Sequence, residues 1–126
     1  MAEGDSTWHI AETYKGLVTL CAEALKAVSL INGGGAVAVL TYIGHDGSGH
    51  PSPALGVALI LYCVGLTLST AAFVVAYLTQ LQLYQEAKAG QFGRHTVGIA
   101  VGVVLAVAAI VLFIVGCFAA GVGLMC

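Results

Sequence analysis

Three stretches of this sequence, residues 27–44, 54–78 and 96–120, run without a single Asp, Glu, Lys, Arg or His. Nothing else in the chain constrains its fold as strongly. A helix needs ~20 apolar residues at ~1.5 Å rise to cross a bilayer core of ~30 Å. The second and third stretches meet that length. The first is short, but Lys26 can snorkel, and the helix can extend back through Leu17 to Leu25. The chain reads as an all-α integral membrane protein with three transmembrane helices and an N-terminal amphipathic helix, in one membrane domain of 126 residues.

Composition supports a lipid solvent. Hydrophobic residues make up 60% of the chain and charged residues only 8%, against about 25% charged in soluble domains. So few charges cannot wrap a core in water. A net charge of −2 without any basic run excludes nucleic acid as a partner, because phosphate binding needs clustered Lys and Arg. The first residues are acidic, with no basic segment leading into an apolar run, so a cleaved signal peptide is not expected.

The connections carry turn chemistry. His45-Asp46-Gly47-Ser48-Gly49-His50-Pro51-Ser52-Pro53 joins the first two spans, and Pro53 suits the first position of the second helix. The second connection, residues 80–95, is polar; helix two should overshoot to Ala89 and stop at Gly90. Lys15 and Lys26 precede span one, and Lys88 and Arg94 lie between spans two and three. Three spans place these four on one side, which the positive-inside rule makes cytoplasmic. The expected topology is N-terminus in the cytoplasm and C-terminus outside, with Tyr42, Tyr77 and Tyr84 near interfaces.

Residues 6–26 show an apolar stripe of Ile10, Tyr14, Leu17, Cys21, Leu25 and Val28 opposite Glu12, Lys15, Thr19, Glu23 and Lys26. This segment lies on the inner leaflet, runs straight into span one, or packs on the overhang of helix two. Its polar face is too mixed in sign to anchor strongly on anionic lipid.

Helix packing in lipid relies on small residues that let backbones approach. Helix two offers Ala58, Tyr62, Gly65, Ser69, Ala72, Ala76 and Thr79 on one face; helix three offers Gly98, Gly102, Ala106, Ala109, Phe113, Gly116, Ala120 and Gly123. Gly98 and Gly102 form a GxxxG pair. Periodicity does not tell a seam inside the chain from one between chains; three helices with two such faces can satisfy one internally, which leaves another for a partner. In span one, Asn32 is followed by Gly33, Gly34 and Gly35, which reads as a tight crossing point sealed by an Asn hydrogen bond, or alternatively as a hinge or polar constriction.

Reactive chemistry is sparse. His45, Asp46 and His50 are weak candidates for a metal site, with an ordinary polar turn as the alternative. Cys21, Cys63, Cys117 and Cys126 show no paired spacing, and Cys126 is expected to be a free thiol or an intermolecular disulfide. No protease, P-loop or dinucleotide motif occurs, and no ionisable residue falls inside the three stretches, which argues against a proton-coupled carrier. No cofactor is expected.

The segments Leu30-Ile31-Asn32-Gly33-Gly34-Gly35-Ala36-Val37-Ala38-Val39-Leu40 and Ala76-Tyr77-Leu78-Thr79-Gln80 resemble a group of small bacterial three-span membrane proteins with no assigned activity. The resemblance implies a bacterial inner-membrane setting and transfers no functional residue. Two functions then compete. One is a non-enzymatic module that packs with itself or with another membrane protein. The other is a pore former similar to phage holins or depolarising effectors, lined by Tyr62 and Ser69; its departure is the apolar end Gly121-Val122-Gly123-Leu124-Met125-Cys126 in place of a hydrophilic tail.

Overall fold

The computed structural model describes residues 2–45, 50–90, 93 and 95–125. Three helices account for almost all of them: α1 Ala2–His45, α2 Pro53–Ala89 and α3 His95–Met125. Each is long and apolar enough to cross a membrane, and the chain is a multi-pass membrane protein. At ~1.5 Å per residue the helices measure roughly 66, 55 and 46 Å, all longer than a ~30 Å hydrocarbon core.

α1 is one uninterrupted helix, so residues 6–26 run straight into the first span. They do not pack on α2 as a separate element: Ile10, Tyr14, Leu17 and Cys21 are exposed, and the stripe becomes buried only at Val28. The glycine triplet does not break α1 either.

Pro53 opens α2, where its fixed φ fits and no N–H is wasted. Leu55 and Gly56 donate back to the Ser52 carbonyl at 3.0 and 3.4 Å. At the other end Gly90 adopts φ 67°, and its N–H caps the Glu86 carbonyl. Gly93 also takes a positive φ, 146°, a backbone region that side-chain-bearing residues avoid.

α2 is the common partner. It runs antiparallel to α3 along most of its length and antiparallel to the upper part of α1, whereas α1 and α3 touch sparingly. From the α1–α2 turn downward the seam is a ladder. Leu55 meets Gly123, then Tyr62 meets Gly35 and Gly116, Gly65 meets Asn32, Ser29 meets Ser69, Val75 meets Gly102, and Thr79 meets Gly98. Ala36, Val39, Leu55, Ala58 and Tyr62 form the apolar core near the turn, with Phe113, Ala119 and Ala120 against it. The wide outer surfaces of Val, Ile and Leu face outward, as a lipid solvent requires.

Candidate helix-packing junction

The polar side chains at mid-span converge on one place. Asn32 and Ser69 are both 0% exposed. The Asn32 amide nitrogen donates to the Val28 carbonyl one turn back, at 3.0 Å, and to the Ala109 carbonyl on α3, at 3.4 Å. Its Oδ1 is buried without a hydrogen-bond partner and faces Gly65: a Cβ on Gly65 would collide with the amide group. This orientation is the favourable one, since flipping the amide would aim its oxygen at two carbonyls. A glycine Cα–H is the weak donor that helix interfaces offer such an oxygen.

One turn away Ser29 donates to Ser69 at 3.0 Å, and Ser69 donates to the Leu66 carbonyl of its own helix at 2.9 Å. Both hydroxyl protons are thereby used. On the other side of Asn32 lies the Tyr62 ring. It is wedged between two glycines, a Cβ on Gly35 approaching it to 3.0 Å and one on Gly116 to 2.7 Å. Phe113 tilts against the ring with centroids 5.6 Å apart, and the hydroxyl donates to the Cys117 sulfur at 3.4 Å. Two glycines on different helices thus make room for one aromatic ring.

The α2 face anticipated for packing is buried at Ala58, Tyr62, Gly65, Ser69, Ala72 and Thr79, with Ala76 half-buried. On α3, Ala109, Gly116 and Gly123 are buried, and Gly98, Gly102, Ala106 and Ala120 are half-buried. These two small-residue faces pack against each other. The expectation that one would remain for a partner is corrected accordingly: α2 and α3 are antiparallel neighbours, and each consumes the other's face. The two GxxxG glycines also differ. A Cβ on Gly98 would strike the Thr79 hydroxyl, whereas one on Gly102 would rest 3.7 Å from Val75 in ordinary contact. The triplet divides likewise, with Gly35 against Tyr62, Gly33 only 4.0 Å from the Leu66 side chain and Gly34 facing open space.

Tyr62 and Ser69 do not line an opening in the single chain. Their face is filled by α1 and α3, so the pore-lining expectation is corrected. Of the weak metal candidates, His45 and His50 are exposed, and Asp46 lies outside the described residues, as do Arg94 and Cys126. Among the described residues no group of three or more His, Cys, Asp or Glu could hold a metal ion. Cys21, Cys63 and Cys117 are free and exposed.

Sequence reasoning overlooked the α2–α3 turn. Glu86 Oε2 lies 2.9 Å from His95 Nδ1 and accepts the Gly93 N–H at 3.3 Å, while Thr96 donates to the Gly93 carbonyl at 2.8 Å. The nine-residue separation of Glu86 and His95 hides the pair until Gly90 turns the chain. The carboxylate clamps the turn.

The charged end also shows an apolar excess. Leu17 and Leu20 on α1, Leu78 and Leu81 on α2, and Val97, Ile99, Val101 and Val103 on α3 are all exposed. All but Val103, which sits just inside the Glu23 level, lie beyond the level of Lys26 and Glu23, which pair at 2.8 Å. In water the seven beyond that level, each about half exposed, would forfeit on the order of 5–11 kcal/mol, at ~1.5–3 kcal/mol per fully buried side chain. Submerging two charges costs about 5–7 kcal/mol at ~2.5–3.5 each at the bilayer centre, and less for a pair that can snorkel.

Comparison with protein-family models, curated proteins and solved structures yields no match.

Proposed function

We propose that this chain is a non-enzymatic module of the bacterial inner membrane, with its N-terminus in the cytoplasm, that acts by packing beside another membrane protein or a second copy of itself. The observation that carries this reading is the use made of the polar groups. Ser29, Asn32, Tyr62, Ser69 and Thr79 all sit between helices, where they join the helices and present nothing to a substrate. The topology rests on Lys15, level with the last turns of α2, and Lys88, which ends α2; both lie at one end of the bundle. With the α2 and α3 small-residue faces consumed internally, we assign the partner contact to the exposed stripe of Ile10, Tyr14 and Leu17, which no other helix of the chain covers.

The test is membrane potential in bacteria expressing the chain, followed with a voltage-sensitive dye against a span-scrambled control. A steady potential with the protein in the membrane is expected. Rapid depolarisation at modest expression would overturn the module in favour of a pore. Cross-linking in the same cells supplies the partner arm: adducts formed by the wild type should be lost in Ile10→Ser/Leu17→Ser at equal membrane abundance. Their persistence would remove the stripe as the contact.

A further inference from the structure

The side chains at the charged end mark two levels at which a bilayer could stop. Counting down from the Ser29–Ser69 contact at about 1.5 Å per residue, Lys26 and Glu23 come level with Ala72 and Val75, inside the apolar length of α2. Continuing down, Tyr14 comes level with Tyr84, and Lys15 comes within about one turn of His95. The second level is where all three helices change character together. α3 has no charged residue from Thr96 to Met125, and α2 has none from Pro53 to Gln85.

Aromatic residues frame the same length. Tyr42 is exposed near the α1–α2 turn; Tyr14 and Tyr84 are exposed at the other end. Tyr42 and Tyr14 stand 28 residues apart on one helix, about 42 Å. A bilayer measured through its headgroup regions is ~40–45 Å thick, and aromatic belts sit at headgroup level on both sides. A boundary at Lys26 would instead leave a collar of exposed Leu, Ile and Val in water, along with an unpacked single helix that water would fray.

We propose that Tyr42 lies at one interface and Tyr14 with Tyr84 at the other, so that Glu23 and Lys26 form an ion pair within the hydrocarbon of one leaflet and acyl chains cover the α1 flank of Leu20 and Cys21. A ~30 Å core centred on this frame puts Glu23 roughly 7 Å inside it. The Lys26 ammonium, held 2.8 Å from the Glu23 carboxylate, is drawn toward the near interface, as snorkelling requires. Their side chains are 63% and 60% exposed on the protein, so lipid is what surrounds them. A first span that starts at residue 27 contains no ionisable group; one that starts near Tyr14 contains this pair, and the expectation of spans free of ionisable residues then no longer holds. This placement stands independently of the packing module, because either function is compatible with it.

Cys21 is the natural reporter. It is exposed on the protein, so in nanodiscs that each hold a single chain only lipid can shield it from a water-soluble reagent. The full chain carrying Cys63→Ala, Cys117→Ala and Cys126→Ala would be placed in nanodiscs of phosphatidylcholine and phosphatidylglycerol with 16- to 18-carbon chains. Both faces are then open to a charged maleimide. References are two single-cysteine chains, one with Ser6→Cys and one keeping only Cys63. Cys21 should label at least ~10-fold more slowly than Ser6→Cys and within a few-fold of Cys63, because maleimide attack needs a hydrated thiolate, and SDS should equalise all three. Labelling of Cys21 at the Ser6→Cys rate would overturn the proposal. Hydrogen exchange on the unsubstituted protein in the same nanodiscs gives a second reading. Amides of residues 16–24 should stay protected for many minutes; exchange within seconds, as for a lone helix in water, would equally overturn it.

Discussion

Gly65 of α2 leaves the space that the Asn32 amide of α1 fills: a single methyl group on Gly65 would occupy the position of the Asn32 oxygen. The two residues are 33 positions apart in sequence and make one joint. Gly65→Ala should therefore lower stability by about 1–3 kcal/mol, the usual cost of overpacking, read as a fall in thermal midpoint in detergent. Asn32→Ala in the same chain should recover part of that loss, and a double-mutant cycle should return a coupling of about 1 kcal/mol or more. Additive effects would mean that the two do not meet.

Tyr62 separates packing from hydrogen bonding. Tyr62→Ala empties the slot between Gly35 and Gly116 and should cost about 3–5 kcal/mol, as for other large aromatic truncations. Tyr62→Phe keeps the ring and loses only the 3.4 Å contact with Cys117, so it should cost ~0.5 kcal/mol or less, in line with the small measured value of polar contacts between membrane helices. Equal losses in the two variants would show that the hydroxyl matters more than the ring.

The GxxxG pair should behave asymmetrically. Gly98→Ala meets the Thr79 hydroxyl and should destabilise by about 1–2 kcal/mol, with relief when Thr79→Ala is added. Gly102→Ala has ordinary contact distance to Val75 and should change stability by less than ~0.5 kcal/mol. Because this seam is intramolecular, native gels should show the same oligomeric state for both variants.

Within the triplet, a methyl group on Gly34 would have nothing within 4 Å, whereas one on Gly35 would face Tyr62 at 3.0 Å. Gly34→Ala should raise the thermal midpoint, by ~0.5–1 kcal/mol on helix propensity. Gly35→Ala should not, unless the ring shifts by a few tenths of an ångström.

Much of this was legible in the sequence, for identifiable reasons. The 4-3-4-3 spacing of Ala58, Tyr62, Gly65, Ser69, Ala72 and Thr79 marks one helical face, and a face of small residues in lipid packs on something. Periodicity does not say on what, so the pairing of Thr79 with Gly98 and of Leu55 with Gly123 needed the antiparallel register. The three glycines of the triplet look alike in sequence and differ only in what α2 brings opposite each. The length of α1 was hidden by its charges: segmenting at Lys26 divides a helix whose backbone does not change there. The Glu86–His95 clamp was invisible because its partners meet only once Gly90 has reversed the chain.

The sharing of α2 by both neighbours, with sparse contact between α1 and α3, has a consequence for biogenesis. α1 is synthesised first and yet has almost nothing of its own to dock against. It enters the membrane as a solitary helix whose Asn32 amide has only the Val28 carbonyl of its own helix as partner, until α2 and α3 emerge. Only the hairpin of α2 and α3 presents the Gly65 notch and the Ala109 carbonyl together. The first helix made is thus the last to have its partners complete, and the interval before α3 arrives is when the nascent chain is most open to capture by an insertase or to a wrong neighbour.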